Sequence, residues 1–209
     1  MALDTIENVL TLLVVIAGSL YSLLHYVRWP KREWLDLSVF FLTHMLSDYY
    51  WTTYTIVMGE NPDVSAGMAY AGWNAGYVFL FLVAFVMRSE KSRSFKHWIM
   101  FLPIPLGIIQ FFIYIQYGGI LNNIWEGVLA TSISCICLQS ICYHVKNKDS
   151  DTSKPLFYIV LFLHIVFEYG MWTASCYSWP SDALNPYYYF SFGDCAILVL
   201  LGLAAKKPL

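Results

Sequence analysis

Residues 68–87 read MAYAGWNAGYVFLFLVAFVM, an uncharged run, and Arg88-Ser89-Glu90-Lys91-Ser92-Arg93 follow at once. As a helix rising 1.5 Å per residue, such a run is about 30 Å long, the thickness of a bilayer's hydrocarbon core. The cluster of basic residues behind it marks the membrane face at which it ends. Working outward, six further apolar stretches of similar length lie at 8–27, 35–58, 97–116, 124–144, 156–175 and 187–205. The expected fold is therefore all-α: an integral membrane bundle of seven transmembrane helices forming a single domain over residues 1–209. Short loops make successive helices antiparallel neighbours. The first stretch does not read as a signal peptide, because Asp4 and Glu7 stand where a basic region would be and no small-residue cleavage site follows it.

Composition agrees. Hydrophobic residues make up 58% of the chain and charged residues only 12%, about half the usual soluble share, so a lipid bilayer is the expected partner. The net charge of −2 and small basic count argue against nucleic acid. Cys135, Cys137, Cys142, Cys176 and Cys195 contain no CxxC pair and read as thiols within apolar segments. No Gly-rich phosphate loop, GxSxG elbow or HExxH motif is present, so no catalytic residue is named. The last stretch carries no buried lysine for a retinal Schiff base, since Lys206 and Lys207 lie at its end.

Charge sets the orientation. Arg28, Lys31 and Arg32 lie in the first loop, Arg88, Lys91, Arg93 and Lys96 in the third, Lys146, Lys148 and Lys154 in the fifth, and Lys206 and Lys207 in the tail. Every Lys and Arg thus falls on one side, while the opposite loops carry Glu60, Asp63 and Asp182. The positive-inside rule places the N-terminus outside and the C-terminus in the cytoplasm of a multi-pass cell-membrane protein.

The second stretch holds His44, then Asp48, Tyr49 and Trp51. The sixth holds His164, then Glu168, Tyr169 and Trp172. His25 lies at the end of the first stretch as His144 ends the fifth. Residues 8–87 and 124–205 therefore read as a parallel internal repeat, with 97–116 as a linker helix that Pro103 and Pro105 should kink. This three-plus-one-plus-three plan resembles the topology of the sugar-transporting SWEET proteins, without their Pro-Gln signature.

Ionisable groups at membrane depth face the bundle interior. His44 and His164 fall near the midplane, with Asp48 and Glu168 one turn further out on the same faces. Asp194 and Asn74 reach a similar depth. Trp51, Trp73, Tyr77, Tyr169 and Trp172 lie at or above this acidic layer, and Tyr187, Tyr188 and Tyr189 at its rim. Three readings are open. The groups hydrogen-bond between helices and fix the packing. Or Asp48, Glu168, Asp194, Asn74, Trp51, Trp172, Tyr77 and Tyr169 bind a small-molecule ligand, a cation or amine by charge and cation–π attraction. Or His44, Asp48, His164 and Glu168 hold a metal ion or relay protons. The type of any cofactor is not readable. Gln110, Ser134 and Gln139 read as interhelical hydrogen-bonders, Trp29, Trp34, Trp98 and Trp125 as interfacial belts, His25 and His144 as contacts at the basic edge, and Glu126 as an acid favoured by a helix N-terminus.

Asp48-Tyr49-Tyr50-Trp51, Gly59-Glu60-Asn61-Pro62 and Gly76-Tyr77-Val78-Phe79-Leu80, with Glu168-Tyr169-Gly170-Met171-Trp172 and Asn185-Pro186-Tyr187-Tyr188, resemble the seven-helix N-terminal modules that precede diguanylate cyclase domains in some gut-type Firmicutes. The resemblance implies a bacterial sensory input module, with no defined ligand. No cyclase domain follows Leu209, so the sequence is expected to be either an excised module whose cytoplasmic domain is not included or a stand-alone protein that signals through a cytoplasmic partner. The alternatives are a small-molecule or proton-coupled transporter, and a metal-dependent intramembrane enzyme. Seven-helix zinc hydrolases carry several histidines on their last helix, and the last stretch here has none.

Overall fold

The computed structural model describes residues 2–62, 67–117, 120–147 and 153–205; Asp63, Lys148, Lys206 and Lys207 lie outside them. Among the described residues the chain is helical without strands. It comprises α1 (Ala2–Arg28), α2 (Arg32–Met58), α3 (Gly67–Val86), the short α4 (Glu90–Ser94), a 3-10 turn (Trp98–Phe101), α5 (Pro103–Tyr114), α6 (Ile120–Lys146), α7 (Ser153–Ser175), a second 3-10 turn (Asp182–Leu184) and α8 (Pro186–Ala205). Segments of α1, α3, α6, α7 and α8, five helices in all, are long and apolar enough to cross a membrane.

The other two expected spans differ from these for physical reasons. At 27 residues, α2 is about 40 Å long, but its inward face carries Ser38, His44, Ser47, Asp48, Thr52 and Thr55, all buried. Leu42, Leu46, Tyr49 and Ile56 point outward and are exposed. Over residues 42–56 the polar side thus faces inward and the apolar side outward, the inverse of a water-soluble helix, whereas nearer Arg32 the buried side carries Trp34, Leu37, Phe40 and Phe41. The fourth stretch is broken rather than kinked. Residues 98–101 form a 3-10 turn, and α5 begins at Pro103. Proline lacks the N–H that a helix interior uses but loses nothing in the first turn, so Pro103 and Pro105 start a helix instead of bending one. The first helix begins earlier than expected, and Asp4 and Glu7 are part of it.

The long helices form a closed ring. α2 packs between α1 and α3, α7 between α6 and α8, and contacts of α3 with α6 and of α1 with α8 close the circle. α5 lies outside, against α6 and α7. The half of the ring towards Arg28, Arg88 and Lys146 is filled by Leu37, Phe40, Leu80, Ile133, Leu161 and Leu201, all at 0% exposure. At that end the 87–97 connection is tied to α6: Arg88 donates to Gln139 Oε1 at 2.5 Å, and Gln139 donates to the carbonyls of Phe95 at 2.7 Å and Arg93 at 3.1 Å. Gln139 is thus an interhelical hydrogen-bonder as expected. Trp29, Trp98 and Trp125 are exposed, but Trp34 is only 2% exposed and packs on Tyr21 and His25. It is a core residue, not part of a belt. All five cysteines are free thiols.

Candidate ligand-binding site

The other half of the ring surrounds a cavity of about 400 Å³. It runs from the ends of the helices near Asn8, Asn61, Tyr117 and Ser175 down to Val15, His44, Tyr77 and Leu198. Five ring helices each contribute one acid to its lining: Glu7 from α1, Asp48 from α2, Glu126 from α6, Glu168 from α7 and Asp194 from α8. The sixth, α3, contributes Tyr70, Trp73 and Tyr77. Among the described residues no Lys or Arg lines the cavity.

Four of these five carboxyls have at least one fixed donor. The Trp73 indole N–H donates to Asp48 Oδ1 at 2.9 Å. Glu168 Oε2 accepts from the Trp172 indole at 3.2 Å and the Tyr77 hydroxyl at 3.3 Å. Asp194 Oδ1 lies 2.8 Å from His164 Nδ1. Ser191 donates to Glu7, which joins α8 to α1. Glu126 is the exception: its Oε1 is buried and has no hydrogen-bond partner among the described residues. A buried acceptor left in this state costs on the order of 1–3 kcal/mol, so it invites a donor from the cavity side.

The walls are aromatic and continuous. Trp51 and Trp73 have ring centroids 5.5 Å apart, Tyr70 stands edge-on to Trp73 at 5.4 Å, and Tyr70 lies 6.0 Å from Trp172. Indole and phenol faces carry negative quadrupoles and attract cations. At the floor, His44 Nδ1 lies 3.1 Å from the Phe40 carbonyl. A carbonyl only accepts, so Nδ1 carries the proton and Nε2 keeps a lone pair.

Several expected site residues meet here. Asp48, Glu168, Asp194, Trp51, Trp172 and Tyr77 all line the cavity. Asn74 does not. Tyr169 also points elsewhere: its hydroxyl lies 3.4 Å from that of Thr131, and it borders a second, largely apolar crevice of about 560 Å³ between α5 and α7. Adjacent residues on a helix diverge by about 100°, so the neighbour of Glu168 cannot share its direction. The four expected metal ligands do not form one group. α2 and α7 stand across the ring, and the described residues that converge are His164, Glu168 and Asp194, with ligand atoms within 4.8 Å of one another. Of the tyrosines expected at the rim, Tyr187 lines the cavity, Tyr188 is buried and donates to Asp4, and Tyr189 is exposed. Glu7 and Glu126 are additions. Glu7, Thr11 and Val15 share one helical face at i, i+4 spacing, which is the signal that marks Glu7; Glu126 has no comparable local mark.

No protein family, curated protein or solved structure matches the chain.

Proposed function

We propose that the chain is a membrane sensor module that binds a small organic cation, an amine in particular, from the side of the acidic loops. The observation that carries this reading is the ring of carboxyls. Five helices each direct an acid at one cavity, no Lys or Arg among the described residues lines it, and an aromatic wall faces the acids. Interhelical hydrogen bonding alone would pair each acid with a donor on a neighbour, and among the described residues Glu126 Oε1 has none. An ammonium group brings positive charge and several N–H donors to the same place.

In this reading the chain crosses a cell membrane seven times, with its N-terminus outside. α2 supplies one of the two further crossings, and the 3-10 turn with α5 supplies the other. The outward Leu42, Leu46 and Ile56 support the first assignment. α1–α3 and α6–α8 act as two halves of a three-plus-one-plus-three repeat, supported by the matching order of packing within each half, with α2 and α7 in the middle. Ligand binding shifts how the halves meet, and the Ala205 end of α8 passes the change to a cytoplasmic domain or partner, in keeping with the resemblance to cyclase input modules. Sensor is preferred to carrier because the cavity has one mouth. Below His44 it is closed by Phe40, Leu80, Leu161 and Leu201, each at 0% exposure.

The test is a thermal-shift and calorimetric screen of the purified chain against amines, polyamines and neutral sugars of similar size. An amine that raises the melting temperature of the wild type, and much less that of Asp48→Asn/Glu168→Gln, is the expected result. Sugars binding as well as amines, or no ligand responding, would remove the reading.

A further inference from the structure

Beside the floor of the cavity, a buried histidine that does not line it meets two acids that do. His164 and Glu168 lie one turn apart on α7, and α8 brings Asp194 against them. All three ligand atoms fall within 4.8 Å of one another, and His164 Nδ1 stands 2.8 Å from Asp194 Oδ1. We propose that His164, Glu168 and Asp194 form a site for a first-row divalent metal ion of the Zn²⁺ or Mn²⁺ kind. This goes beyond the amine reading, with which it shares Glu168 and Asp194, and the two are tested separately.

Three observations carry it. The first is spacing. Ligands bound at about 2.0–2.2 Å sit roughly 3–3.5 Å from one another around a single ion. The three ligand atoms lie within 4.8 Å of one another, close enough for one ion to draw them together, and that ion would replace the proton His164 Nδ1 now shares with Asp194 Oδ1 at 2.8 Å. The second is the donor set. One imidazole nitrogen with two carboxylates suits first-row divalent ions, whereas Mg²⁺ and Ca²⁺ take oxygen throughout. The nearby thiol of Cys195 is engaged with Thr11 at 3.4 Å and is not needed.

The third is an unpaired polar atom. His164 is 0% exposed and its Nε2 has no hydrogen-bond partner among the described residues. Nothing on the Nε2 side fixes the proton on Nδ1, so the ring can carry its proton on Nε2 and present the Nδ1 lone pair to an ion held with Asp194. Glu168 and Asp194 also line the cavity, as does His44, whose Nε2 lone pair remains available. An ion held by the triad therefore has coordination positions open towards the space that receives the ligand.

The test uses the full chain in detergent or nanodiscs, stripped with a chelator and titrated with Zn²⁺ by calorimetry and with Co²⁺ by visible absorption. The expected result is saturable binding of one ion per chain with ligand-field bands of bound Co²⁺. In Asp194→Asn the amide oxygen still accepts from His164, so the fold is retained, and affinity falls by roughly tenfold or more. Glu168→Gln, a second variant of unchanged size, falls likewise, while Asp182→Asn, exposed and outside the cavity lining, keeps wild-type metal affinity. No saturable binding by the wild type, or equal binding by Asp194→Asn and Glu168→Gln, overturns the site. Amine titrations of the metal-free chain separate the two readings: amine binding without metal binding sinks the triad alone, and metal binding without amine binding sinks the amine reading alone.

Discussion

At the scale of single residues, Glu126 separates a binding role from a packing role. Its Oε1 is buried without a partner among the described residues, so the side chain adds little to folding as it stands. Glu126→Gln is expected to leave the melting temperature unchanged or slightly higher, because an amide loses less than a carboxylate when removed from water. Amine affinity should fall by about tenfold, the worth of roughly 1.4 kcal/mol. Calorimetry on the variant reads both quantities, and a large loss of stability with unchanged affinity would assign Glu126 to packing. Gly76 shows a packing role directly. A Cβ there would lie 2.2 Å from both Cε1 and Nδ1 of His44, so Gly76→Ala must push the imidazole off the Phe40 carbonyl. Overpacking of this sort costs about 1–3 kcal/mol, and thermal unfolding should show a lowered midpoint. Asp48, Glu168 and Asp194 are legible in the sequence because a carboxyl deep in an apolar helix is costly and is kept facing the interior of the bundle. Glu126 is not, because an acid near a helix start has an ordinary electrostatic reason to be there. Tyr169 matches its motif but not its direction: the 100° step of the helix turns it away from the cavity that Glu168 lines.

At the scale of elements, glycines set how closely helices approach. Phe167 of α7 lies over Gly193 of α8, where a Cβ would come within 2.2 Å of the ring, and Phe190 of α8 lies over Gly170 of α7 at 2.6 Å. Two aromatic knobs thus fill two glycine hollows reciprocally, bringing the backbones close as small residues do in membranes. This packing holds Asp194 against His164. Gly193→Val should destabilise the chain by about 1–3 kcal/mol, and Phe167→Ala in the same chain should return part of that loss. Unfolding of the four members of the cycle in detergent checks this, since coupled neighbours are non-additive by about 0.5–3 kcal/mol. Strict additivity would mean that the two residues do not meet. The existence of long apolar helices is readable from hydropathy alone. The internal break of the fourth stretch is not, because a proline inside an apolar run marks a kink and a helix start equally well until the preceding turn is seen.

At the scale of the whole molecule, the decisive event is closure of the ring. Ser191 to Glu7, Tyr188 to Asp4 and the Thr11–Cys195 contact join the last helix to the first, and these partners are 184 residues apart in sequence. No local pattern announces such a seam: the i, i+4 face of Glu7, Thr11 and Val15 is legible in the sequence, but its closure against α8 is not. Closure also makes the cavity one-ended. Leu201 is fully buried beneath it, and opening that layer would expose apolar surface at roughly 25 cal/mol for each Å². Accessibility of introduced cysteines to a membrane-impermeant maleimide tests both orientation and access in a cysteine-free background. Asn61→Cys and Ser175→Cys should react in intact cells, because they lie at the mouth. Lys31→Cys and Asn147→Cys should react only after permeabilisation. Leu201→Cys should stay unreactive from either side, with or without an amine. A sensor needs only a difference in affinity between two packings of its halves, and the floor can remain shut in both. A carrier must expose the same acids to the cytoplasm at some point in its cycle. Ligand-stimulated labelling of Leu201→Cys from the basic side would therefore replace the sensor reading with a transporter, and protection of Ser175→Cys by an amine with Leu201→Cys silent would support a receptor with one mouth.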